Sequence, residues 1–456
     1  FDRDATLAAR RRRHLHSRPW PPINIWPRAT NKPVRLRYSA WTCIGAAVPL
    51  VDSGTQSVRQ GLIFLSPLIL YPVIDFVFRI ANGLIAPDLR SSFSLNAAEL
   101  GFVSSTFFIA FGLSQLPLGL ILDRYGPKAV TSLLLITACV GALLFISAES
   151  MSGLILGRVL MGIGMSASLI AGIKTASIWL PGRLPLATSL LIGATGIGGM
   201  FATMPFGAML EELGWRPAFV ILTAATGIIM LATLLIVPTA SIDHKSSLRQ
   251  QISSFGTIFR SVKLWQYAPI AMTCVGVGSA YQTLWAPLWL RDVAGYGNTA
   301  IAWVLFAMLG AYACSNFAFG WIAQQWQRRG KSIMPLILGG VTILIALQIG
   351  LTVQITALAI PLWIGVSIFL SASYAIYPLV TGNFDSAFAA RASSALNFLV
   401  FLSVFIVQWL IGIVIEVFPL AENGGFSSTA HSWAFAIGIA LQILGLTWYG
   451  ASIRRN

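Results

Sequence analysis

Gly119-Leu-Ile-Leu-Asp-Arg-Tyr-Gly-Pro-Lys-Ala-Val130 sets one acid, two bases and two glycines between apolar runs long enough to cross a bilayer. The rest of the chain supports that reading. Of its 456 residues 56% are hydrophobic and only 10% charged, and the mean hydropathy is +0.77. Soluble domains carry about 25% charged residues. A bilayer core needs about 20 consecutive apolar residues per helix, and such runs recur from Gly61 onward. The short alternating segments of a membrane β-barrel, about 10 residues each, are absent. The expected fold is an all-α polytopic membrane protein.

Reading apolar runs between charged or turn-rich breaks gives twelve spans. The first six are 61–87, 97–122, 128–147, 152–181, 185–210 and 217–238. The second six are 264–290, 299–323, 331–354, 356–381, 391–417 and 431–453. The polar stretch 239–263 reads as a linker between an N-terminal bundle (61–238) and a C-terminal bundle (264–456). Arg124, Lys128, Arg183, Lys245, Arg249, Arg260, Lys263, Arg328, Arg329, Lys331 and Arg391 follow even-numbered spans, whereas the opposite side carries Arg90, Arg216 and Arg291. This bias puts the even loops and both termini in the cytoplasm, most simply across a bacterial inner membrane.

The net charge of +15 would suggest nucleic acid in a soluble protein. Here the bases sit in short loops and in residues 1–60, so membrane orientation explains them and no nucleic-acid partner is expected. Residues 1–60 contain Arg10-Arg11-Arg12-Arg13 and Pro19-Trp-Pro-Pro22, and read as a disordered basic extension. The first methionine is Met151, and the expectation is that part of the first 50 residues is not native. Cys43, Cys139, Cys274 and Cys314 show no metal or disulfide spacing. His14, His16, His244 and His431 lie outside the apolar runs, which removes a buried histidine relay or metal ligand. Without a His cluster, metal spacing or nucleophile elbow, no enzyme activity and no cofactor are expected.

The two halves resemble each other. Gly320-Trp-Ile-Ala-Gln-Gln-Trp-Gln-Arg-Arg-Gly330, after span 8, aligns with the opening stretch: Gly320 matches Gly119, Ile322 matches Ile121 and Arg329 matches Lys128, with Gln324 in place of Asp123. A duplicated pair of six-helix halves places a binding site at their interface near the membrane midplane. Gly119-x-Ile121-x-Asp123-Arg124-x-Gly126-x-Lys128 resembles the signature of the major facilitator superfamily. Leu156-Gly-Arg158-Val-Leu-Met-Gly162-Ile-Gly164 and Gly214-Trp-Arg216-Pro-Ala-Phe219 are similar to two further motifs of that family. The resemblance implies twelve transmembrane helices in two six-helix bundles related by pseudo-two-fold symmetry. It implies a gating latch for Asp123, Arg124 and Lys128, and a part in proton coupling for Arg158. Gly119 would let a neighbouring helix approach, and Gly126 would permit the turn. The alternative for the whole motif is a solvated turn obeying the charge bias.

Span 1 carries Tyr71, Asp75, Arg79 and Asn82 at i, i+4, i+8 and i+11, one face of a helix over roughly 16 Å. A charge at mid-membrane costs at least about 2.5–3.5 kcal/mol, so the stripe should face a wet cavity or a partner. Arg79 would hold an anionic group and Asp75 would carry the proton; the alternative is a self-neutralising structural pair. Tyr281, Gln282 and Trp285 form the aromatic counterpart in span 7, and ordinary packing is the alternative there. Asn397 is a further candidate, with Asn316 and Gln408 weaker. Arg158 and Lys174 face nearly opposite ways on span 4, and Lys174 is expected to snorkel to the cytoplasmic surface. No second arginine opposes Arg79, which favours a solute with one anionic group.

The expected function is secondary active transport of a small polar or anionic solute by alternating access, driven by the proton gradient, in a monomer embedded in the lipid bilayer. The alternatives are an efflux antiporter and a non-transporting sensor of the same fold. Because the extension has no apolar core and precedes every motif, deleting residues 1–50 should leave membrane insertion and uptake intact. Lost uptake at normal membrane abundance would contradict this.

Overall fold

Proline and glycine decide where the long apolar runs of this chain stop being straight. The computed structural model describes residues 58–239, 255–422 and 424–455. The basic extension up to residue 57 and the linker from 240 to 254 lie outside them. Ten helices among the described residues are long and apolar enough to cross a bilayer. One of them, Ala97–Ile146, is 50 residues long. At 1.5 Å per residue that is about 75 Å, more than twice the hydrocarbon thickness, so it holds spans 2 and 3. Span 7 is the twelfth, broken into Val262–Ala280, a π-helical turn Tyr281–Trp285 and Ala286–Asp292.

Each break has a local cause. The expected loop between spans 2 and 3 shrinks to a bend at Gly126, whose φ of 80° suits glycine. Pro127 then restarts the helix where a missing N–H costs nothing. In span 7, Pro287 cannot donate to Thr283 and crowds its carbonyl, which favours the wider turn just before it. Span 4 consists of Met151–Met165 and Ser168–Trp179. The Ser166 carbonyl between them accepts a 2.6 Å bond from Gln115 Nε2, as irregular backbone at membrane depth requires. Span 8 runs on to Arg328 instead of ending at 323, because no breaker precedes Gly330, whose φ is 70°. His431, expected outside the apolar runs, is buried inside the helix Ser428–Arg455 and meets Asp292 Oδ2 at 3.3 Å.

Within a bilayer, helices associate through close packing rather than a hydrophobic drive, so small residues mark the contacts. A Cβ on Gly157 would lie 2.8 Å from Gly141 O, and one on Gly162 would strike Phe107 O. The bundles meet along span 2 against span 11 and span 5 against span 8. A Cβ on Gly112 would lie 2.9 Å from Phe401 Cβ, and one on Gly196 3.3 Å from Ala313 Cβ.

Polar bonds between the bundles gather on the odd-loop face. Arg90 Nη1 donates to Gly424 O at 2.9 Å, Ala97 N to Glu416 Oε2 at 2.8 Å, and Thr299 Oγ1 to Glu211 Oε1 at 3.2 Å. Arg90 also covers the Phe426 ring at 4.3 Å. Burial raises the proton affinity of the Asp88 carboxyl there, and Arg291 from the other bundle opposes the rise. On the even-loop face, a Cβ on Gly119 or Gly320 would find no atom within 4 Å. The close helix approach expected of Gly119 is absent, because that end of span 2 stands clear of its neighbours.

Gly162→Leu should therefore cost about 1–3 kcal/mol through overpacking. Gly193→Leu should be near neutral, since nothing lies within 4 Å of a Cβ there. Thermal unfolding in detergent compares them; equal midpoints would refute the contact.

Candidate functional site

Spacing of four residues on span 1 lets Arg79 fold back along the helix onto Asp75. The pair is bidentate: Arg79 Nε to Asp75 Oδ1 at 2.8 Å and Arg79 Nη2 to Asp75 Oδ2 at 2.6 Å. Side-chain exposure is 3% for Asp75 and 13% for Arg79. Ser168 Oγ donates a further 2.7 Å bond to Asp75 Oδ2. Ser168 is the first residue after the break in span 4, so that break delivers its hydroxyl to the carboxylate.

The guanidinium lies among three rings: Phe111 at 4.2 Å, Phe401 at 5.3 Å and Phe76 at 5.5 Å. Phe401 belongs to span 11, so Arg79 stands at the boundary between bundles. Its Nη1 has no hydrogen-bond partner among the described residues. A guanidinium N–H left free beside a neutralised pair can donate to one further anionic oxygen.

The remaining span-1 candidates point into their own bundle. Tyr71 OH donates to Gly164 O, and Asn82 Nδ2 donates to Ser104 Oγ; both side chains are buried. Arg158 is fully buried, donating to Phe78 O at 3.0 Å and Ser104 O at 3.1 Å, with its charge over Phe107 at 4.9 Å. It ties spans 1, 2 and 4 together and forms no bond with Asp75. In span 7, Tyr281 packs on Phe435 at 4.4 Å and Trp285 Nε1 donates to Gln408 O at 3.3 Å, both inside the second bundle. Gln282 Nε2 reaches Ser367 Oγ at 3.3 Å.

Asn397 belongs to a group that spacing within one span did not assemble. Tyr377 OH donates to Asn397 Oδ1 at 3.0 Å. The Tyr377 ring stacks on Tyr374 at 6.1 Å, and Tyr374 meets Tyr312 at 5.9 Å. All four are half-buried. The tyrosines come from spans 8 and 10 and carry no charge, so a search for costly ionisable residues passes over them. Three hydroxyl-bearing rings inside otherwise apolar spans were the available signal. Among the described residues no group of three or more His, Cys, Asp or Glu could hold a metal.

At the even-loop face Asp123 pairs with Lys174, Nζ to Oδ1 at 2.6 Å, both partly exposed. The cation expected only to snorkel is the acid's partner. Arg124 is exposed beside the Tyr125 ring at 5.5 Å. Lys128 lines a cavity of about 200 Å³ with Tyr125, Gly126 and Thr239.

Comparison with known proteins decides the family. The model of the Major Facilitator Superfamily matches residues 68–408. The chain belongs to the major facilitator superfamily. That superfamily consists of transporters, not enzymes. A probable L-galactonate transporter of Escherichia coli is 23% identical over 418 residues, 85% of this chain and 88% of that protein. The nitrate/nitrite transporter NrtP of Picosynechococcus is 38% identical over 132 residues, 28% of this chain but only 24% of that protein. Among solved structures, an inward-facing, unoccupied bacterial homologue of the human lysosomal transporter Spinster aligns with a TM-score of 0.70 at 18% identity, covering 87% of this chain and 98% of that one.

The Asp123–Lys174 contact makes the superfamily signature testable as a pair. Lys174→Gln should shift cysteine accessibility at the two membrane faces in the same direction as Asp123→Asn, and the double variant should add little. An exposed pair is worth about 0.2–1 kcal/mol, so the shift should be under ten-fold. Lys174→Gln labelling like the parent while Asp123→Asn does not would separate the two residues.

Proposed function

We propose that this protein is a secondary active transporter that moves a small anionic solute by alternating access and draws on the proton gradient. The observation that carries the reading is the Asp75–Arg79 pair: buried, bidentate, and leaving Arg79 Nη1 at the boundary between bundles. An arriving anion competes with Asp75 for the guanidinium. A carboxylate that loses its cation away from water takes up a proton. Solute binding and protonation are thereby linked at one side chain. The pair's neutral resting charge and the absence of an opposing arginine among the described residues favour a single anionic group.

The relatives lend support, since L-galactonate, nitrate and nitrite are all anions. Polar bonds on the odd-loop face and the free glycines on the even-loop face fit a carrier open toward the even loops. With those loops in the cytoplasm of a bacterial inner membrane, as the charge bias favours, that state is inward-facing. The unit of transport in this reading is the monomer.

Asp75→Asn should abolish pH-driven accumulation in proteoliposomes while sparing counterflow, which needs no net proton movement. Arg79→Lys keeps the charge but loses the planar fork, and should weaken apparent affinity by at least about ten-fold. Full pH-driven accumulation by Asp75→Asn would leave the pair a structural one. No counterflow of any anion by the unmodified protein would favour a sensor.

A further inference from the structure

We propose that the second bundle reads hydroxyl groups across from Arg79, so that the solute is a polyhydroxylated monocarboxylate. This rests on the transport reading above and adds the substrate class.

The first bundle sets the charge. Asp75 already occupies Nε and Nη2 of Arg79, which leaves one nitrogen for the solute. A second anionic group would have to be buried without a cation, which low-dielectric surroundings strongly disfavour. The rings of Phe76, Phe111 and Phe401 present apolar faces around the guanidinium, surroundings that suit carbon better than another charge.

The second bundle sets the rest. Phe401 and Asn397 lie four residues apart on span 11, so they share a face just over one turn, roughly 6 Å, apart. Asn397 accepts from Tyr377 OH, and its Nδ2 has no partner among the described residues. From Tyr377 the stacked Tyr374 continues the polar row to Tyr312. A second path leads to the same row: a Cβ on Gly199 would touch both Phe76 at 3.3 Å and Leu309 at 3.5 Å. Tyr312 lies three residues beyond Leu309, on the same face of span 8. The row begins a helical turn from Phe401, whose ring lies 5.3 Å from the guanidinium; it is half-buried and neutral throughout.

Phenol and amide groups both donate and accept, which matches hydroxyls and not a second carboxylate. An inorganic oxyanion bound at Arg79 would not reach past Phe401. An alkanoate would reach, but would leave Asn397 Nδ2 desolvated and unpaired, the kind of loss that separates hydroxylated substrates from their deoxy analogues.

Counterflow in proteoliposomes tests this with D-gluconate, hexanoate, nitrate and sorbitol as probes. D-gluconate should exchange with a half-saturation concentration at least about ten-fold below that of hexanoate, and sorbitol should not exchange. Tyr377→Phe and Asn397→Leu should each raise the D-gluconate value by about ten-fold and leave hexanoate where it was. Thermal stabilisation of the purified variants by D-gluconate gives the same ranking if transport is slow. Exchange of hexanoate or nitrate as readily as D-gluconate, or variants that shift every anion equally, would overturn the substrate class alone. Exchange of no anion at all would overturn the transport reading and this one with it.

Discussion

Hydrocarbon tolerates a charge only where an opposite charge or hydrogen-bonding groups compensate it, and the Asp75–Arg79 pair is where this molecule meets that constraint most directly. The bidentate contact satisfies the carboxylate, Ser168 adds a hydroxyl, and three aromatic rings cover the guanidinium. Span 4 has to break to bring Ser168 there, and Gln115 has to cap the carbonyl that the break frees. Arg158 answers the same constraint differently, spreading its charge over carbonyls from two neighbouring spans and the face of Phe107. One cation is held in the wall, and the other is left facing the seam.

Around these charges the bundles are assembled by shape. Glycines sit where helices cross within the first half, at Gly157 and Gly162, and where the halves meet, at Gly112 and Gly196. The odd-loop face adds polar clasps through Arg90, Glu416 and Glu211. The loop that Arg90 grips is anchored on its own bundle, because Phe426 N donates to Asp292 Oδ2 at 3.2 Å. Closure on that face is thus a set of discrete bonds. Between spans 2 and 11 the glycine contacts alternate with aromatic ones, Phe102 against Trp409 at 5.2 Å and Phe111 against Phe401 at 4.6 Å.

The number of spans, the pairing of the halves and the Asp75–Arg79 contact were legible in the sequence because each follows from composition or from spacing along a single helix. Gly126 announced its bend, although the loop expected there is a single residue. What spacing could not give was the direction a face points. Tyr71 and Asn82 share a stripe with Arg79, yet they bond to Gly164 and Ser104 inside the bundle. The π turn at Tyr281–Trp285 changes the register of span 7, so Tyr281 and Trp285 face their own bundle. Lys174 finds Asp123 only after the chain has turned twice. The tyrosine row is built from spans 8 and 10, and no pattern within one helix reports a contact between two.

The self-neutralised pair also has an electrical consequence. Empty, the site carries no net charge at the depth of the pair. In the proposed loaded state, with one monoanion and one proton on Asp75, it again carries none. Moving an uncompensated unit charge through the membrane costs roughly 2.3 kcal/mol per 100 mV, and neither form of this carrier bears that work. On the proposed coupling of one proton to one monoanion, the cycle is electroneutral: the pH difference drives accumulation, and the membrane voltage leaves it untouched.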